Sequence, residues 1–99
     1  MARFDVYRNT SGPGYLLDVQ SDLLGDLNTR VVVPLLPPKK APQPARQLNP
    51  VLEVERNQVI MITQFLAAVP KSELRKWITS LDQDRDAVSA ALDMLFLGF

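Results

Sequence analysis

Six of the eight prolines in this 99-residue chain lie between Pro34 and Pro50. Proline lacks a backbone N–H and fixes its own φ, so it stops helices and cannot donate within a sheet. No helix or central strand can therefore run through "PPKKAPQPAR" (Pro37–Arg46). That stretch is exposed, basic and extended. It is either a stiff connector or a binding loop. Pro34 itself interrupts the β-branched run "RVVVPLL" (Arg30–Leu36), which places it at an edge, a bulge or a strand end. The fold must be assembled from short elements on either side of this region.

Before the prolines the pattern is β. In "RFDVY" (Arg3–Tyr7), Phe4 and Val6 share one face and Asp5 takes the other. "TSGPG" (Thr10–Gly14) is a turn cluster, with glycine for positive φ, and "YLLDVQ" (Tyr15–Gln20) resumes an apolar run of strand length. The two runs form a hairpin with a long loop. Gly25, Asp26 and Asn28 break the alternation in "SDLLGDLNT" (Ser21–Thr29), so Leu23 and Leu24 fall on a loop or a short helical turn.

After the prolines, "VLEVE" (Val51–Glu55) alternates strictly and "QVIMIT" (Gln58–Thr63) returns as a buried strand. Arg56-Asn57 is the tight turn between them, without the usual glycine. "FLAAVP" (Phe65–Pro70) is apolar up to its proline. "KSELRKWITSL" (Lys71–Leu81) is ambiguous: Leu74, Trp77, Ile78 and Leu81 have helical spacing, with Ser72 as a cap, but the segment is short. The clearest element comes last. Asp82 can cap a helix, and Asp84 and Asp86 suit its positive end. Val88, Ala91, Leu92, Leu95, Phe96 and Phe99 then form one helical stripe, and Met94 and Leu97 widen it. The expected fold is α+β, mainly β: a small barrel of antiparallel strands with a C-terminal α-helix, a single domain over residues 1–99.

The composition narrows function. Eleven basic and eleven acidic residues balance, which argues against nucleic-acid recognition through phosphate contacts. There is no Cys and no His, so thiolate chemistry and the commonest general base and metal ligand are gone. No Gly-rich phosphate loop or metal-ligand spacing is present, and no cofactor or metal is expected. The start lacks a signal-peptide pattern and no segment reaches membrane-spanning length, which suits a cytoplasmic protein without membrane contact. The acidic cluster Asp82, Asp84 and Asp86 reads as helix-start electrostatics, not as a cation site.

Several short pieces, in order, resemble the CcdB family of bacterial toxins from type II toxin–antitoxin modules. They are "VY" (Val6–Tyr7), "DVQSDLL" (Asp18–Leu24), "VVVPL" (Val31–Leu35), "LNPVLEV" (Leu48–Val54), "AAVP" (Ala67–Pro70) and the ending "LFLGF" (Leu95–Phe99). The resemblance runs from end to end, with a small length change near the middle. It implies an SH3-like barrel working as a homodimer. It also implies a poison with no catalysis of its own, which binds the DNA gyrase A subunit and traps gyrase on cleaved DNA. A CcdA-type antitoxin with a disordered segment neutralises such toxins.

Carried onto this chain, the family's gyrase-facing positions are Leu23, Leu24, Asp93, Leu97, Gly98 and Phe99. The usual family ending is Phe-Trp-Gly-Ile, and Leu97 replaces its tryptophan. The loss of a cation–π partner is worth roughly 0.5–2 kcal/mol. Asp93 stands where an uncharged amide is typical. The antitoxin surface maps onto Arg8–Gly14 and Pro37–Arg46, with Arg8, Asn9, Thr10, Lys39, Lys40 and Arg46 as its candidate residues. Two alternatives remain: a non-toxic homologue that keeps antitoxin binding, and a ribonuclease toxin of a related small-barrel family. Gly98 also suits a helix stop, from which Phe99 could fold back on Met94.

Overall fold

A computed structural model describes residues 1–99. Seven strands precede one helix: β1 (Asp5–Arg8), β2 (Tyr15–Asp18), β3 (Thr29–Leu36), β4 (Val51–Val54), β5 (Asn57–Met61), β6 (Ala67–Pro70), β7 (Trp77–Ser80) and α1 (Arg85–Leu97). The strands form one antiparallel sheet in the order β4-β5-β3-β2-β1-β7, with β6 also on β3. It curls into a half-barrel, and Val88 and Ala91 of α1 join the same core cluster as the sheet residues. The α+β, mainly β expectation holds.

β3 organises the curl. Its first half pairs with β6, Val32 facing Ala67, and its second half pairs with β5, Leu35 facing Met61. Both partners therefore share one edge of a single long strand. Pro34 sits at their junction, inside an interior strand, where an edge, a bulge or a strand end was expected. Its carbonyl accepts from the Ile62 N–H at 3.0 Å. Pro34 falls where β5 has ended and β6 has not begun, so no ladder donor is missed. The valines before it are covered on both sides: Val33 joins the main core, and Val32 joins a smaller cluster with Tyr7 and Leu74. This two-sided burial explains why β3 reads as a continuous apolar run.

Gly14 fixes where the first hairpin meets β3. Its φ is +80°, and a Cβ there would lie 2.1 Å from the Leu35 carbonyl oxygen. Only glycine satisfies both the backbone conformation and the approach. The second hairpin turns one residue earlier than expected. Val54 faces Asn57, so Glu55-Arg56 is the turn, with φ +54° and +67°. Both residues are left-handed, as a type I′ turn requires, though neither is the glycine or asparagine that usually fills it.

The ambiguity of Lys71–Leu81 resolves into a single helical turn, 71–73, followed by β7. β1 would otherwise present an open edge, and pairing with β7 closes it; Ser80 faces Asp5. The helically spaced residues are divided accordingly, with Leu74 and Leu81 in different core clusters and Trp77 exposed. Asp82 is not the cap of α1. It opens a separate turn, 82–84, and its carboxylate pairs with Arg85. Asp84 occupies the cap position without a side-chain hydrogen bond.

Candidate functional site

Helix α1 enters the core and then leaves it. Val88 and Ala91 are buried and Leu92 is half-buried, but Phe96 is 68% exposed and Leu97 60% exposed. The end of the expected stripe is thus surface. Gly98 stops the helix with φ +82°, and its N–H reaches the Asp93 and Met94 carbonyls at 3.2 and 3.1 Å. The left-handed stop was legible in the sequence. Phe99 does not bury itself behind it; the residue is 83% exposed.

The turn carrying Leu23 and Leu24 lies near this end of α1. Leu24, Leu27, Leu66, Leu92 and Phe96 line one apolar groove of about 430 Å³. Leu23 is 94% exposed and borders a separate polar cleft with Arg3, Asp22, Asp82 and Arg85. Asp93 is exposed on α1. An isolated exposed leucine is ordinary, whereas here Leu24, Leu27 and Phe96 are exposed side by side.

This turn is held from below by a buried polar network. Arg30 donates to both Asp18 oxygens, at 2.7 and 2.9 Å, and to the Gln20 carbonyl at 3.4 Å. The Gln20 amide donates to the Leu24 carbonyl at 3.1 Å, and its Oε1 accepts from the Val31 N–H at 3.0 Å. Asp18 and Arg30 are fully buried. Burial pushes the Asp18 carboxyl up, against the opposing pull of Arg30 and the Gln20 N–H. The polar residues of "DVQSD" therefore serve the fold that presents the leucines. Arg30, twelve residues away in sequence, was not legible as their partner.

A second region gathers part of the other candidate set. Arg8, Gly14, Tyr15, Pro37, Lys39 and Asn57 help line a groove of about 560 Å³. Arg8 and Lys39 thus meet there, whereas Asn9, Thr10, Lys40 and Arg46 lie outside its lining. Asn9 braces its own loop, accepting from the Ser11 N–H at 3.0 Å. At the groove, one oxygen of Glu55 accepts from the Tyr15 hydroxyl at 2.6 Å and from Arg8 at 3.0 Å. The Arg8 guanidinium also lies 5.5 Å from the Tyr15 ring centre. The Tyr15 hydrogen bond, reinforced by Arg8, holds the Glu55 carboxyl below its ordinary value. Burial first, and Glu55 second, raise the Tyr15 phenol. Tyr15 and Glu55 were absent from the sequence-derived site, because nothing local relates residues 40 apart.

The chain is a half-barrel with an apolar helix end and a separate groove that holds Arg8 and Lys39. The family model described as "CcdB protein" matches residues 3–98, and the chain belongs to the CcdB family of toxins from toxin–antitoxin systems. Among solved structures, an endoribonuclease in complex with its cognate antitoxin, from a mycobacterial species, superposes with a TM-score of 0.80. The match covers 100% of this chain and 98% of the other at 16% identity, a likeness of fold. No helix is long and apolar enough to cross a membrane.

Proposed function

We propose that this protein is a non-catalytic toxin that binds the DNA gyrase A subunit and traps gyrase on cleaved DNA. The observation that carries the reading is the presented end of α1, where Leu97 and Phe99 stand in solvent around the left-handed Gly98. Leu23, Leu24 and Asp93 complete the proposed contact surface. A homodimer, as the family resemblance implies, is part of the same reading. A CcdA-type antitoxin is the neutralising partner, and the basic groove at Arg8 and Lys39 is its proposed docking region.

The test is induced expression in cells with sensitive gyrase, beside a version lacking Leu97–Phe99 and a Leu97→Trp variant. The full chain is expected to arrest growth and accumulate gyrase-dependent cleaved DNA, and the truncated chain to fold without effect. Leu97→Trp is expected to lower the concentration needed for cleavage by about 2- to 30-fold, if the indole regains roughly 0.5–2 kcal/mol of cation–π contact. Equal toxicity of the truncated chain would remove the tail from the mechanism. Harmlessness of both would identify a homologue that no longer kills. RNA cleavage by the purified protein without gyrase would replace the reading with a ribonuclease.

A further inference from the structure

The Arg8–Tyr15–Glu55 cluster has the geometry of a filled binding site. Two donors from the first hairpin converge on one carboxylate oxygen, and the carboxylate comes from the second hairpin, 40 and 47 residues away. Arg8 and Glu55 are nearly half exposed, with side-chain exposures of 45% and 43%. An ion pair this wet is weak and exchangeable. The groove beside it has cations in Arg8 and Lys39, apolar walls in Tyr15, Pro37 and Pro38, and no carboxylate among its nine lining residues.

We propose that Arg8 and Tyr15 form a carboxylate-receiving site for an acidic, extended partner peptide, with Glu55 as the chain's own placeholder. The inference deepens the antitoxin reading of this groove and rests on it. On binding, a partner carboxylate accepts from Arg8 and Tyr15 while the Glu55 side chain turns to solvent. One hydrogen-bonded carboxylate replaces another, so no donor is left unpaired. The displaced charge disfavours weak anions. An occupant must add apolar contacts on Tyr15 and the prolines to win, which makes Glu55 a specificity residue.

A peptide fits better than a nucleic acid. A peptide can set a single carboxylate at Arg8, whereas a phosphate backbone must run past the displaced Glu55. The chain also has no excess of positive charge, with eleven basic and eleven acidic residues.

The test titrates the isotopically labelled full chain with short peptides of alternating glutamate and leucine, following the amide signals of Tyr15 and Asn57 by NMR. Matched peptides with glutamine for glutamate, and a short single-stranded RNA, are the controls. The glutamate peptide is expected to shift both signals. Glu55→Gln is expected to bind it about fivefold tighter, the scale of one exposed charge pair, and Arg8→Gln to lose most of the binding. The amide introduced by Glu55→Gln still offers an acceptor to Tyr15, and an unchanged amide spectrum elsewhere checks the hairpin. Equal affinity of wild type and Glu55→Gln, no shift up to millimolar peptide, or a stronger response to RNA would overturn the proposal. The gyrase assay reads a different surface. A chain that traps gyrase but ignores these peptides refutes only this inference, and one that binds them but spares gyrase refutes only the gyrase reading.

Discussion

Arg30→Met removes the cation that Asp18 meets in the interior. Arg30 contributes two hydrogen bonds to that carboxylate, and both side chains are out of solvent, at 1% and 0% exposure. Burial alone raises an aspartate, and Arg30 is the main force pulling Asp18 back down. In the variant, Asp18 is either ionised and unpaired or protonated. Holding it protonated at pH 7 costs about 1.4 kcal/mol for each pH unit above the ordinary aspartate value near 3.9, so about 4 kcal/mol. This agrees with the roughly 3–5 kcal/mol measured when one partner of a buried pair is removed.

The sign with pH follows. A carboxyl raised in the folded state favours folding most below its unfolded value, and that favour is lost as pH rises through the folded value. Asp18 is already raised in the wild type, so the deficit of Arg30→Met should be at most about 4 kcal/mol at pH 7 and should shrink to at most about 1.5 kcal/mol near pH 5. Urea unfolding at several pH values is the assay. With a slope of roughly 1–1.5 kcal/mol/M for a domain of this size, the midpoint should fall by at most about 3 M at neutral pH. Asp18→Leu combined with Arg30→Met removes both charges and should recover most of the loss. A neutral-pH deficit under about 1 kcal/mol with unchanged slope, or one that does not shrink in acid, would refute the reasoning.

Two further outcomes are expected. Gly14→Ala places a Cβ against the Leu35 carbonyl in a left-handed backbone, and should cost more than about 3 kcal/mol by thermal or urea unfolding. Gly12→Ala, which meets only the Asn9 side chain at 3.6 Å, should be near neutral in the same assay. Absorbance titration of the two tyrosines should show no native step at the ordinary value, since Tyr15 is raised. Burial, then Asp5 and Asp18, push Tyr7 to about 12. Because both phenols are raised on folding, their contribution to stability is present below pH about 10 and lost as pH rises toward the folded values. Tyr7→Phe should remove the step near 12.

Much of the fold was legible because its signals are local. Alternation in "VLEVE" announced β4, the glycines and proline of "TSGPG" announced a turn, and the stripe from Val88 announced α1. The failures came where long-range partners set the outcome. Leu74, Trp77, Ile78 and Leu81 fit a helical period, yet the edge of β1 drew Trp77–Ser80 into the sheet. Pro34 should mark an edge, a bulge or a strand end, yet β3 carries it in its interior because its two partners leave a gap there. The stripe of α1 left open whether Phe96 faces the core or a partner, and the structure leaves it exposed.

The site divides in the same way. The sequence alone determined which residues could form an apolar tail, that Gly98 would stop the helix, and that a basic proline-rich segment follows β3. Those properties depend on neighbours a few residues apart. Only the tertiary structure decided that Leu24 and Phe96 share one groove, that Arg30 neutralises Asp18 beneath the Leu23–Leu24 turn, and that Glu55 reaches Arg8 and Tyr15. Such pairings depend on strand order and on how far the sheet curls, which periodicity and spacing along the chain do not encode.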